Sequence, residues 1–274
     1  MAKGKLEMMS DSVFFVYPGQ PYIGEAVMHL LLAFNNEPNN EGQSSPHERE
    51  HSQIAIALTM VALESIVKIK LNEVDKIEPS KTEEVFLCTL DKYSKEHGAL
   101  VLWNELKILR NQIIHSAYFE RSTKGSKIST ATRKRLEKSF YKDFLDRLNE
   151  CTRRWRLSIN PLSVSRYESL VCFMFFYWYG KETGVISNLH IYTPHVDCRM
   201  NRRNWINRED YQNLIGNGNN FIPFIAYLSG RLPEEHRIRF VRLVQETFSI
   251  DMDKKMEFAK DLLKMFKNER PNFD

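Results

Sequence analysis

Ala99-Leu100-Val101-Leu102-Trp103-Asn104-Glu105-Leu106-Lys107-Ile108-Leu109-Arg110-Asn111-Gln112-Ile113-Ile114-His115 is the stretch that decides the fold class. Ala99, Leu102, Leu106, Leu109 and Ile113 recur at alternating steps of three and four, the spacing of one apolar stripe on an α-helix. At about 100° per residue, Asn104, Lys107, Asn111 and His115 gather on the opposite side, with Arg110 between the two faces. Val101 and Ile108 form a second apolar edge beside the polar stripe. The pattern predicts a helix that packs one face into a core. It also predicts a polar site on the other face, set inside a helix–helix or subunit contact.

Outward from this helix, the neighbouring segments repeat the helical period. Upstream, Pro79-Ser80 opens a helix that runs to about Glu96, and His97-Gly98 closes it. Before it, a long helix is expected from His47 to Val74, with Ser45 as its cap and Pro46 in the first turn. Its middle, Ile54 to Leu71, is apolar almost all round, as a central core element is. Asn35 to Pro46 reads as a loop and Tyr22 to Phe34 as a first helix, while residues 1–19 read as a tail or a short strand over Val13 to Tyr17. Downstream come a loop from Arg121 to Thr132 and a basic amphipathic helix from about Arg133 to Thr152. Beyond Pro161 an aromatic helix is expected from Ser163 to Tyr179, then an irregular segment from Gly180 to Asn204 with a short strand near Leu189 to Tyr192. Gly216 to Asn220 reads as a loop, and two last helices as Glu234 to Phe248 and Asp251 to Lys267. The reading is all-α: a tail over 1–19, a helical domain over 20–155 and a helical C-terminal extension over 156–274.

Composition narrows the function classes. With 42% hydrophobic and 27% charged residues in 274, the chain is an ordinary folded one, neither disordered nor fibrous. The most apolar run, Leu170 to Tyr179, stops at Gly180-Lys181-Glu182, well short of the roughly 18 apolar residues of a membrane span. No apolar signal region follows Met1, so a cytoplasmic location and no membrane partner are expected. Cys88, Cys151, Cys172 and Cys198 are scattered and read as reduced thiols, mostly in the core. The net charge of +4 is unevenly placed: 14 Lys or Arg stand against 6 Asp or Glu between Glu105 and Asn160. Such a bias suggests a surface that binds a polyanion. There is no phosphate-binding G-x-x-x-x-G-K-[ST] loop, no dinucleotide fingerprint and no G-x-S-x-G elbow, which removes the main support for motor, dehydrogenase and α/β-hydrolase readings.

Arg110-Asn111-Gln112-Ile113-Ile114-His115 resembles the R-x(4–6)-H signature of HEPN domains (higher eukaryotes and prokaryotes nucleotide-binding), and Ala62-Leu63-Glu64-Ser65 is similar to a segment of their first long helix. A second match, Arg231 to His236, is set aside because Pro233 breaks the helix it needs and Leu232 stands where the family has a polar residue. The resemblance covers roughly residues 20–155. It implies a HEPN-like helical bundle and a metal-independent endoribonuclease of the toxin or abortive-infection type, acting in antiviral defence. Arg110, Asn111 and His115 would be its catalytic residues, and no cofactor would be needed. His115 would serve as acid or base, Arg110 would hold the phosphate, and Asn111 would orient one of them. The products would carry 2′,3′-cyclic phosphate and 5′-hydroxyl ends. The family pools two such helices across a homodimer, so a composite site is expected, with RNA as substrate and a protein inhibitor or antitoxin as a further partner. Glu64 and Tyr118 are additional candidates, although Glu64 also suits an i,i+4 pair with Lys68. Tyr118 lies one position later than the tyrosine of the nucleotidyltransferase-modified toxins, where this chain has Ala117, and that puts such modification in doubt. A non-catalytic HEPN module binding RNA, a nucleotide or a protein is the alternative.

Other groupings point elsewhere. His47-Glu48-Arg49-Glu50-His51 fits H-E-x-x-H, so a zinc metalloprotease using His47, Glu48 and His51, with Glu73 as a third ligand, is the enzyme-class alternative. Its intervening Arg49 and Glu50 are charged, unlike the packed residues of active zincins. His190, His195, Asp197 and Cys198 match no ligand spacing and read as a polar loop. Lys107, Arg133, Lys134, Arg135, Arg153, Arg154 and Arg156 are the candidate RNA-binding cations. Trp155 and Trp205 lie among arginines, where bases can stack.

Overall fold

A computed structural model describes residues 20–35, 45–114, 157, 163–184, 221–252 and 255. Among them there is no strand, and the fold is all-α, as the periodicity implies. The expected strands at Val13–Tyr17 and Leu189–Tyr192 lie outside the described residues. So do the loop over 121–132, the basic helix over 133–152 and most of the expected last helix.

Helix α1 is Gln20–Asn35 and α2 is Pro46–Lys68. Ser45 caps α2, its Oγ accepting from the Glu48 backbone N–H at 3.0 Å, with Pro46 at the start. Both features are the expected ones. Past Lys68 the backbone widens into a π-helical turn over Ile69–Val74. Helix α3 (Thr82–Tyr93) follows a 3-10 turn at Pro79–Lys81. A second 3-10 turn at Lys95–His97 leads into α4, Gly98–Ile114. In that turn Glu96 (φ 47) and His97 (φ 60) are left-handed, and His97 Nδ1 meets the Asp91 carboxylate.

Helices α1 and α2 pack as an antiparallel pair. His29 faces His51, with Nδ1 atoms 3.0 Å apart, and Phe34 lies at the end near Glu48, where Arg166 covers its ring. Helices α3 and α4 are also antiparallel: Phe86 meets Trp103 edge-on at 4.8 Å while Lys107 reaches Glu83.

Helix α5, Arg166–Glu182, lies at the centre of the described residues. Every residue from Arg166 to Gly180 is buried, which explains why its aromatic run has no polar stripe. Ser165 and Glu168 close a reciprocal capping box at its start. Phe175 reaches Trp103 of α4, and Tyr179 reaches Phe86 of α3. The Cys172 thiol lies 3.9 Å from the Ile56 carbonyl of α2. Among the described residues two further helices pack against α5, α6 (Phe221–Ser229) and α7 (Glu234–Phe248). Phe221 and Phe224 pack on Phe173, and Phe248 packs on Trp178 at 4.9 Å.

Residues from both expected segments therefore share one continuous hydrophobic core. The aromatic helix expected in an extension lies in the middle of that core, with helices from the N-terminal segment packed around it. No helix among the described residues is long and apolar enough to cross a membrane.

Candidate functional site

The C-terminal turns of α4 carry the motif. The apolar stripe faces inward as expected: Ala99, Leu102, Leu106 and Leu109 are fully buried, and Ile113 packs against the core. The opposite stripe differs along its length. Asn104 is buried, its Nδ2 donating to the Leu100 carbonyl at 2.9 Å, so it belongs to the helix interior and not to an open polar face. Val101 is wholly enclosed by the chain's own core, so of the two expected settings for this edge it takes the helix–helix contact. Only the last two turns open outward: Ile108 is half-buried and Ile114 is 48% exposed.

Arg110 is held from two sides. Its Nη1 donates to Asn111 Oδ1 at 2.7 Å, and its Nη2 donates to the Glu64 carboxylate on α2. The Arg110 side chain is 17% exposed and that of Glu64 32%. Arg110 Nε is buried and has no partner. Glu64 thus turns across to α4, and no ion pair joins it to Lys68 one turn along its own helix, the pairing that local spacing suggested. This contact, 46 residues apart in sequence, brings three of the expected site residues together: Arg110, Asn111 and Glu64. Charge-assisted contacts of this kind fix a guanidinium more firmly than neutral ones do.

Lys107, read as an RNA contact, bridges to Glu83 of α3 at 3.1 Å and lies over the Trp103 ring. It thus ties α3 to α4, and a polyanion would have to compete with an exposed carboxylate for it. His115, Tyr118, Arg133, Lys134, Arg135, Arg153, Arg154 and Arg156 lie outside the described residues, as do Trp155, Trp205 and the His190, His195, Asp197 and Cys198 group.

The zincin pattern is dispersed. Glu48 is 2% exposed and faces the start of α5, accepting from the Arg166 backbone N–H at 3.2 Å beside the Arg166 guanidinium. Burial pushes its carboxyl above the ordinary value, and the Arg166 backbone N–H and charge oppose that shift. His47 is exposed and His51 is engaged with His29. Enclosed beside the start of α5, Glu48 is placed to satisfy the Arg166 backbone N–H of that helix end. Among the described residues, no group of three or more His, Cys, Asp or Glu is arranged to hold a metal ion.

The second Arg–His match is built into packing. Arg231 donates to the Phe34 carbonyl (2.9 Å) and Asn35 Oδ1 (3.2 Å), closing the end of α1. His236 stacks against Tyr167, and Pro233 stands just before α7. Neither the contact of His29 with His51 nor that of Asp91 with His97 has a spacing signal in the sequence. No protein-family model, curated protein or solved structure matches the chain.

Proposed function

We propose that the chain is a metal-independent endoribonuclease of the HEPN type, acting as a homodimer and serving as a toxin or antiviral effector. The 2′-oxygen of RNA attacks the adjacent phosphorus and the P–O5′ bond breaks. The 2′ proton passes to a base, and the departing 5′-oxygen receives one from an acid. His115 carries this proton traffic, Arg110 holds the non-bridging phosphate oxygens, and Asn111 sets the guanidinium plane. The observation that carries the reading is the state of Arg110: a largely shielded guanidinium, fixed by Asn111 and Glu64 at the end of an amphipathic helix. An arginine held in this way is prepared to bind phosphate without first losing rotamer freedom.

The test is incubation of the purified chain with single-stranded RNA in excess EDTA, beside Arg110→Ala and His115→Ala. Each variant is expected to lose about a hundredfold or more in rate while keeping the wild-type melting profile. Cleavage should leave cyclic phosphate ends. RNA binding without cleavage would identify a non-catalytic RNA-binding module, and cleavage that dies with EDTA would refute the metal-independent mechanism.

A further inference from the structure

We infer that Glu64 is the positioning residue of the Arg110 phosphate clamp and that it acts at the expense of RNA affinity. The inference rests on the ribonuclease reading above. Arg110 leaves α4 with several rotatable bonds, and its neighbour Asn111 is on the same helix, so that contact alone moves with the helix end. Glu64 is on a different helix, α2, whose adjoining residues Leu63 and Ile66 are buried. Its carboxylate therefore refers the guanidinium to the body of the molecule. Two partners on two elements define a plane, and they leave one N–H on each Nη for a phosphate.

The same contact has an electrostatic consequence. A carboxylate against the guanidinium cancels most of the charge that a polyanion would feel at a distance. Geometry gains and long-range attraction falls. A purely structural ion pair between α2 and α4 would have neither effect on the reaction. The two roles therefore separate in the kinetics.

The experiment compares wild type, Glu64→Ala, Glu64→Gln and Glu64→Asp, each with Arg110 intact, on a fluorescent single-stranded RNA of mixed sequence. Glu64→Ala is expected to lower kcat about tenfold to a hundredfold, the scale of a misplaced catalytic group. Its KM should fall about twofold or more at low salt, because a cation is unmasked. Glu64→Gln keeps a hydrogen-bond acceptor and loses the charge, so it should recover part of kcat while keeping the lowered KM. Glu64→Asp keeps the charge and should leave KM near that of wild type.

In the Arg110→Ala background, Glu64→Ala should add nothing further to the loss of kcat. Unchanged kcat and KM in a folded Glu64→Ala, or losses that simply add to those of Arg110→Ala, would overturn the positioning role and leave the nuclease standing. A wild-type chain that does not cleave, or cleaves independently of Arg110, would instead remove the nuclease reading and this inference with it. Melting curves for each variant separate loss of fold from loss of aim.

Discussion

Glu48 shows how one residue's surroundings decide between two chemistries. In the sequence it stands between two histidines, where a zincin base stands; in the fold it is enclosed and engaged by Arg166. The enclosure has a measurable consequence. Its carboxyl is held above the ordinary value of 4.5, mainly because burial disfavours the charged form. A raised acid binds its proton more tightly in the folded than in the unfolded chain. Between 4.5 and the raised value the folded state holds more protons, so stability falls as pH rises and then levels off. Glu48→Gln cannot titrate and lacks this term. Urea unfolding of both proteins from about pH 4.5 to 7 should show wild type losing stability relative to Glu48→Gln as pH rises. A difference that grows in favour of wild type would mean that Arg166 outweighs the burial. The residue scale also sets what the sequence reveals of the site. Arg110 and Asn111 are legible because they share one helix and a spacing. The Glu64 contact is not, because nothing in a period of 3.6 says that its carboxylate will take a donor 46 residues away and not the one a turn along its own helix.

At the scale of elements, the central helix α5 determines the arrangement. Phe175 is fully buried and meets Trp103 at 6.1 Å, Trp178 at 5.8 Å and Phe248 at 6.2 Å, joining α4, α5 and α7. Phe175→Ala removes all three ring contacts and leaves a cavity in a surrounded site, at a cost of about 3–5 kcal/mol. Ile238, 51% exposed on α7, is the control, and its change to Ala should stay within about 0.5 kcal/mol. Denaturant midpoints check both; a Phe175→Ala loss near that of Ile238→Ala would mean that the core refills around the gap. Elements with caps and a clean period were legible. Ser45-Pro46 marks the start of α2, and Glu234–Phe248 has the bounds its pattern implies. Helix α6 has no such signal, being nine residues and apolar on nearly every side, with Pro223 in its first turn. The π-helical turn at Ile69–Val74 was equally hidden, since its side chains continue the α pattern. The aromatic run announced a buried helix, but its all-round apolarity carries no information on which helices surround it. The sequence pattern alone therefore points to an extension, whereas the fold encloses this helix.

For the whole molecule the open question is how many copies make one site. Of the expected catalytic residues, the end of α4 shows Arg110 and Asn111, a small set for the proposed reaction, which must both bind phosphate and move two protons. Pooling two copies doubles the set, and the surface there has the means to associate. Ile114 is 48% exposed and Ile108 half-buried, directly beside Arg110 and Asn111. Val101 is enclosed in the protomer, so within the described part of α4 the proposed contact could use only the last two turns. Small contacts of this kind are sensitive to one charge, because burying an unpaired carboxylate costs several kcal/mol. On the proposed homodimer, Ile114→Asp should therefore shift the population towards the 32.3 kDa monomer and lower cleavage in proportion to the dimer lost. The measurement is sedimentation velocity over a concentration series, with cleavage assayed on the same samples. If cleavage per chain stays constant as the dimer dissociates, each protomer holds a complete site, and proton transfer must be assigned to residues of the same chain.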